Sequence, residues 1–124
     1  MAGFSEEETV RAFHLMWDNY PEQVRLIDRN YRVVAGNPAY IGAGGQTEVH
    51  CNVGPSEMHR GCQAQAALKS GETKSVSHPA GDIRAESFWI PVAGDGEYYV
   101  HFTNGLNEII RRMAEQAKGQ PEQP

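Results

Sequence analysis

The stretch from Arg25 to Tyr40 most constrains what this chain can fold into. Two short apolar runs flank a polar turn at Asp28-Arg29-Asn30, and an Asn-Pro pair follows at once. Short polar side chains suit a turn because they bond to nearby backbone and tolerate left-handed conformations. Asn37 can cap the first backbone N–H groups of a helix, and Pro38 at the first helical position has no N–H to leave unsatisfied. The stretch therefore predicts a two-stranded hairpin that leads directly into a short helix.

The remaining patterns predict an α+β fold built on an antiparallel sheet. Ser5 with Glu8 has the form of a capping box, which starts a first helix that runs to about Asn19. The other expected elements are strands at 23–28 and 31–35, helices at 38–43 and 56–69, strands at 73–78, 86–92 and 97–103, and a last helix capped by Asn104. Turns are expected at Pro79-Ala80-Gly81 and at Ala93-Gly94-Asp95-Gly96. We expect residues 1–4 to be a tail, residues 5–118 to be one domain and residues 119–124 to be a polar tail.

Length and charge exclude several classes of protein. The 124 residues fit one domain. The net charge of -5 disfavours a nucleic-acid partner, and the basic pair Arg111-Arg112 is too small a patch to offset it. No apolar run approaches the ~20 residues needed to span a bilayer, and the acidic N-terminus lacks the features of a secretory signal. We therefore expect a cytoplasmic protein with no membrane segment.

Sequence signatures of catalysis are missing. There is no nucleophile elbow, no phosphate-binding loop and no paired-carboxylate motif. The glycine-rich run at 42–45 follows a short helix rather than a strand, which is the wrong context for a dinucleotide. We expect a protein that is not an enzyme.

Both terminal helices carry an apolar stripe. Val10, Phe13 and Trp17 recur at helical spacing in the first helix. In the last helix, Leu106, Ile110 and Met113 are spaced like a fragment of a heptad seam. The stripe of the first helix either covers the domain's own sheet or pairs with the same helix of a second chain. A seam of under two heptads is too short to hold a dimer alone, so the predicted homodimer also needs the sheet or the first helix.

These pieces, in this order, resemble a PAS domain. The first hairpin is similar at Val24–Asp28, Arg32–Val34 and Asn37. The C-terminal end of the long helix is similar at Ala67–Glu72. The last hairpin, Phe88–Val92 followed by 97–102, is similar as well, so the resemblance covers about residues 5–116. It implies a five-stranded antiparallel sheet with short helices on one face and flanking N- and C-terminal helices. A ligand pocket would lie between the sheet and the helices at 38–69.

The resemblance implies a non-catalytic sensory module that binds a small molecule or cofactor. The signal would pass through dimer and terminal-helix contacts to a downstream regulator. The expected pocket residues are Tyr40, Ala66, His78, Phe88, Ile90, Tyr99 and His101. Whether the last strands turn their histidines inward, as polar handles in an apolar pocket, or outward stays open. The main alternative is a protein interaction and dimerisation module with a filled core and no ligand.

Cys51, His59 and Cys62 form the sharpest local constellation. They resemble the cysteines of a PAS subgroup common in anaerobic bacteria, with His59 standing where that subgroup has a second cysteine. Thiolate and imidazole are both good ligands for zinc or iron, and His50 could complete a four-coordinate site. The third hypothesis is therefore a metal or redox sensor. Otherwise these are two buried cysteines, which behave as small hydrophobes, and surface histidines.

The identity of a cofactor stays open. A histidine on the long helix is similar in outline to haem-binding PAS domains, although the chain has no Cys-x-x-Cys-His motif for covalent haem. The Asn-Cys-Arg-Phe motif of the flavin photosensors is absent. Light-driven adduct chemistry is therefore not expected.

Overall fold

A computed structural model describes residues 4–51, 62–93 and 96–119 of the chain. The described elements are α1 (Glu6–Trp17), β1 (Val24–Asp28), β2 (Val33–Gly36), α2 (Pro38–Gly42), α3 (Ala64–Ser70), β3 (Lys74–Ala80), β4 (Ile83–Pro91), β5 (Tyr98–Asn104) and α4 (Leu106–Gly119). The five strands form a single antiparallel sheet, which confirms the predicted α+β class. No helix of the described ranges is long and apolar enough to cross a bilayer.

The last strand of the chain lies at the centre of the sheet. The strand order is β2-β1-β5-β4-β3, and every neighbouring pair is antiparallel. β5 pairs with β1 from Val24↔Phe102 to Asp28↔Tyr98 and with β4 on its other side. β3, β4 and β5 form the predicted meander. The first hairpin is therefore held in the sheet by the last strand.

Asn37 ties the start of the sheet to the two helices beside it. Its side chain is fully buried, and its Oδ1 accepts hydrogen bonds from the backbone N–H groups of Val24 (2.9 Å) and Tyr40 (3.1 Å). Its Nδ2 donates to the backbone carbonyls of Trp17, Tyr20 and Glu22 at 2.9 to 3.2 Å. The bond to Tyr40 confirms the predicted helix cap, with Pro38 at the first helical position. The same side chain also fixes β1 and the end of α1.

The predicted N-terminal capping box is present. The Ser5 hydroxyl accepts from the Glu8 backbone N–H at 3.1 Å, and the Glu8 carboxylate accepts from the Ser5 N–H at 3.0 Å. The bond from the Ser5 backbone lowers the pKa of Glu8. In the hairpin turn, Asp28 accepts from the N–H groups of Asn30 and Arg32, both at 2.9 Å. The residue that takes the left-handed conformation there is Tyr31, with φ 68°, rather than Asn30.

Two boundaries in the middle of the chain differ from the predictions. Cys62 and Gln63 are not helical, so the long helix expected at 56–69 is wrong over that part, and α3 begins at Ala64. Residues 56–61 of that expected helix lie outside the described residues. Gly71, with φ 70°, ends α3 in the predicted left-handed position. The turn between β3 and β4 lies after Ala80, because Pro79 and Ala80 still pair with Arg84 and Ile83.

The N-terminus of α4 is capped by Glu22 rather than by Asn104. The Glu22 carboxylate accepts from the backbone N–H groups of Gly105 and Asn107, the latter at 2.7 Å. Asn104 is the last residue of β5, and its Oδ1 accepts from the Tyr20 hydroxyl. A charge at this end of a helix is also favourable because the helix dipole is positive there. The loop between α1 and β1 therefore holds the start of α4.

Two apolar layers lie on opposite faces of the sheet. We call the face that α1 covers the back face and the face that α2 and α3 cover the front face. The back core contains Phe13, Val24, Leu26, Val34, Ala35, Val100 and Phe102. The front core contains Ile27, Val33, Ala64, Ala67, Trp89 and Tyr99. Alternation along β4 and β5 divides neighbouring residues between the two layers.

Candidate functional site

The predicted pocket residues are divided between the two faces of the sheet. Tyr99 and His101 lie on the front face, whereas Phe88 and Ile90 pack into the back core. Phe88 stacks on Phe102 with ring centroids 5.2 Å apart. Because Trp89 lies on the front face and side chains alternate along a strand, Phe88 and Ile90 must lie on the back face. The assignment of Phe88 and Ile90 to a pocket under the short helices is therefore wrong.

A stacked pair of rings marks the centre of the front face. Trp89 and His101 are cross-strand partners, and their rings lie 4.7 Å apart and 15° from parallel. Trp89 is only 6% exposed. The His101 Nδ1 lies 2.8 Å from the carbonyl oxygen of Phe88 and donates to it, because a carbonyl can only accept. Nδ1 therefore carries a proton, which leaves Nε2 as the acceptor of the neutral ring.

The environment keeps His101 neutral at pH 7. Burial lowers the pKa of the imidazole from 6.5 to about 4, because the charged form loses hydration. The positive charge of Arg25 and that of His78 act in the same direction, and the bond to the Phe88 carbonyl opposes them. At physiological pH this ring offers a lone pair and no charge.

Arg25 lies beside His101 in the next strand. The two are register partners between β1 and β5. The Arg25 guanidinium carbon stands 5.9 Å from the centre of the Tyr40 ring, within the range of a cation–π contact. The Arg25 side chain is half-buried, and among the described residues its guanidinium has no acidic partner and no hydrogen bond. A cationic group so placed can receive an anion.

Two glycines fix the position of Tyr40. A Cβ on Gly36 would come 2.1 Å from a Tyr40 ring carbon, and one on Gly45 would come 2.4 Å from another. The ring therefore packs directly against backbone at both sites, which only glycine permits. The Tyr40 hydroxyl donates to the Gln46 carbonyl at 2.8 Å and accepts from its N–H at 3.2 Å. The ring is thus a fixed surface under Arg25.

His78 and Ala66 lie at the margin of the front face. His78 is exposed, and its Nε2 is 3.1 Å from the hydroxyl of Ser87, which is 2.7 Å from that of Thr103. This chain of side chains crosses β3, β4 and β5. Ala66 points away from the sheet and is exposed, since Ala64 and Ala67 are the buried residues of α3. Of the predicted set, Tyr99 and His101 lie two residues apart on the front face of β5, and Tyr40 contacts Arg25, the register partner of His101.

The two cysteines approach the same tyrosine. Both are free thiols; Cys51 is half-buried and Cys62 is exposed. Burial raises the pKa of Cys51, and burial also raises the pKa of Tyr99, with both cysteines adding to the Tyr99 shift. His59 lies outside the described residues. Within the described ranges no three metal-ligating side chains converge, so the site of Cys51, His59 and Cys62 stays a prediction.

The apolar stripe of α1 covers the chain's own sheet. Phe13 is 4% exposed, and Val10 and Trp17 pack against the back core. The prediction that these residues are dimer contacts is therefore corrected, because their side chains already pack against the sheet of the same chain. On α4, Leu106 is half-buried, whereas Ile110 and Met113 are exposed.

A groove of about 550 Å³ opens between α1 and the back face. Its walls are mainly apolar and include Leu15, Met16, Pro91 and Val92. Leu15 and Met16 are 80% and 77% exposed, so the free apolar surface of α1 is displaced from the predicted stripe. This groove is a candidate contact surface.

Sequence reasoning missed Arg25 and underrated Trp89. Arg25 alternates with Val24 and Leu26, a pattern typical of an ordinary strand with one solvated side. Its significance depends on the pairing of β1 with β5, which joins residues far apart in sequence. A positive residue opposite a histidine could be recognised only once that register was known.

Comparison with known proteins gives a fold. No family model matches the chain, and no curated protein sequence matches it. The chain is similar to the PAS domain of BvgS from Bordetella pertussis, with a TM-score of 0.59 and 15% identity over 91% of this chain and 99% of that domain. It is also similar to a domain of an HTR-like protein from Haloarcula marismortui, with a TM-score of 0.51 and 16% identity over 67% of this chain and 95% of that one. A C-terminal domain from Streptococcus mutans gives a TM-score of 0.52 and 14% identity, covering 87% and 90% of the two chains. The chain has the PAS fold.

Proposed function

We propose that this chain is a cytoplasmic, non-catalytic sensory module of signal transduction. A small molecule would bind on the front face, and the terminal helices would pass the change to a second copy and to a downstream regulator. The similarity to PAS domains of signalling proteins supports the general class. The ligand and the dimer are supported by features of the chain itself.

The arrangement of Arg25 and His101 carries the ligand proposal. Both are half-buried on the front face, among the aromatic rings of Tyr40, Trp89 and Tyr99. A few polar groups among apolar walls are what a small-molecule site requires. A filled core without a ligand would need no guanidinium there that lacks an acidic partner among the described residues, because burying a charge without a counter-charge destabilises the fold.

The route to the helices begins at the same strands. A ligand changes the output only if it binds two conformations with different affinity. Arg25 and His101 lie on β1 and β5, and these two strands are joined to α1 and α4 through Asn37 and Glu22. A shift between β1 and β5 would therefore reach both terminal helices.

The two tryptophans provide a test. Trp89 lies on the front face and Trp17 on the back face, and the chain has no other tryptophan. In a Trp17→Phe variant the emission reports on the front face alone, and in a Trp89→Phe variant on the back face alone. We expect a compound from a library of small cytoplasmic metabolites to raise the unfolding temperature and to change the emission of Trp89 more than that of Trp17. If no compound affects Trp89, ligand sensing at this face is refuted.

The second candidate is an interaction module without a ligand. The apolar groove beside Leu15 and Met16 favours it, because such surfaces are commonly protein contacts. In that case the library would leave the emission of Trp89 unchanged, and a partner chain would change that of Trp17.

A further inference from the structure

The charge of the front face differs from that of the whole chain. The net charge of the chain is -5, yet the front-facing strand positions include Arg25 and Lys74 and no acid. The two acidic residues of the strands, Asp28 and Glu86, lie at back-facing positions. Neither α2 nor α3 contains an aspartate or a glutamate. The described elements of the front layer thus present positive charge in an acidic protein.

Arg25 is the charge that a ligand can use. Lys74 forms an ion pair with Glu72 at 3.9 Å. The arginines that have acidic partners are Arg29, Arg32, Arg111 and Arg112. Within the described ranges Arg11, Lys69 and Arg84 also lack an ion pair, but all three are exposed to water. Arg25 differs because it is half-buried, and a half-buried charge gains more from an anion than an exposed one does.

The spacing of the cations limits the charge of the anion. Lys74 and Arg25 occupy the same cross-strand row, through Trp89 and His101, with three strand intervals between them. Strands lie about 4.8 Å apart, so the two residues are separated by about 14 Å at the backbone. His101 between them is neutral at pH 7. One small anion therefore meets one full positive charge.

We propose that the front face binds a small organic monocarboxylate, with the carboxylate on the Arg25 guanidinium and the apolar body beside Tyr40 and His101. The guanidinium offers parallel N–H donors that match the two oxygens of a carboxylate. The ring of Tyr40, fixed between Gly36 and Gly45, supplies apolar surface next to that charge. The proposal rests on the proposed function, since it names the ligand class of the same face.

Benzoate and octanoate are suitable probes, with benzamide and octanamide as neutral controls of the same shape. Binding is measured by calorimetry and by the emission of Trp89 in the Trp17→Phe background. We expect both acids to bind, and the amides to bind about tenfold more weakly or not at all. Phenyl phosphate, which carries more charge than one arginine balances, is expected to bind more weakly than benzoate.

Matched variants assign the binding to one residue. Arg25→Met keeps an unbranched apolar stem and removes the charge, so benzoate affinity should fall about tenfold or more. Arg25→Lys keeps the charge without the paired donors, and an intermediate loss is expected. Lys74→Met removes the same charge at the far end of the row and should leave the affinity within about twofold. Thermal unfolding of each variant confirms that it folds.

The outcomes separate this inference from the proposed function. Equal binding of acids and amides, or full binding by Arg25→Met, overturns the carboxylate assignment. Failure of both acids to bind at millimolar concentration overturns it as well. In either case a metabolite that still changes the emission of Trp89 would leave ligand sensing intact, whereas the absence of any such metabolite would refute both.

Discussion

Asn37 has a larger structural role than its position as a helix cap suggests. Five hydrogen bonds join its side chain to the backbone of α1, the following loop, β1 and α2. A buried polar group that loses its partner costs free energy because it cannot return to water. Removal of this one amide leaves several backbone groups unsatisfied at once.

We therefore expect Asn37→Ala to lower the free energy of unfolding by about 3 kcal/mol or more. Asn107→Ala is the matched control, because that exposed side chain makes one bond, to the Pro21 carbonyl at 2.8 Å, and should cost under about 1 kcal/mol. Urea unfolding followed by circular dichroism measures both. Equal losses for the two variants would contradict the role of Asn37.

The neutral state of His101 makes stability depend on pH. The unfolded chain takes up a proton on this imidazole near pH 6.5, whereas the folded chain does so only near pH 4. Stability is therefore fully present above about pH 6.5 and falls as the pH drops toward 4. The part that depends on His101 is on the order of 3 kcal/mol.

Urea unfolding at pH 7 and at pH 4.5 tests this dependence. His101→Gln keeps a donor for the Phe88 carbonyl but cannot titrate, so it should lose less stability over that interval than the natural chain. The same pH dependence in both proteins would show that groups other than His101 account for it.

At the scale of elements, Glu22 joins the beginning and the end of the fold. Its carboxylate caps α4 from the loop that precedes β1. Glu22→Gln keeps one acceptor oxygen and removes the charge, so we expect a loss of about 1 kcal/mol and faster amide exchange in α4. Exchange in β5 should change little, because its ladder with β1 and β4 is retained.

Hydrogen exchange read by mass spectrometry distinguishes these regions. Glu7→Gln provides the control, since it removes an exposed acid of the first turn of α1. If α4 exchanges at the same rate in Glu22→Gln as in the natural chain, the cap contributes nothing to that helix.

The elements with strong local signals could be predicted from the sequence. The capping box at Ser5, the cap at Asn37 and the glycine after α3 each depend on residues within a few positions, and all three are present. The residue that caps α4 could not be predicted, because Glu22 lies far away in the sequence. The strand faces were misassigned for a related reason. Phe88 and Trp89 are both large and apolar, so composition alone does not say which faces front.

Recognising the candidate site from the sequence would have required knowing which strands pair, because its residues lie far apart in the chain. Tyr99 and His101 were identified as polar groups of a β-strand, but Arg25 acquires its role only opposite His101. A sequence read in order does not place β1 beside β5. The polar chain of His78, Ser87 and Thr103 was missed because it joins three strands.

At the scale of the whole molecule, the exposed apolar residues of α1 and α4 predict self-association. Leu15, Met16 and Met113 are all more than 60% exposed. We expect a dimer in light scattering at high micromolar concentration, and a double change of Leu15 and Met16 to Glu to shift it toward the monomer. Ile41→Glu is the control, because Ile41 is a half-exposed apolar residue on α2. A natural chain that is monomeric at that concentration would refute the dimer.

The central position of β5 determines when the sheet can be completed during synthesis. β1 leaves the ribosome with one neighbour, β2, and its other neighbour is some seventy residues further along the chain. Until residue 104 has emerged, β1 and β4 each present an unpaired edge to other nascent chains. The edge of β1 is thus exposed to aggregation while the residues from 29 to 104 are synthesised, and slow elongation just before β5 would lengthen that exposure.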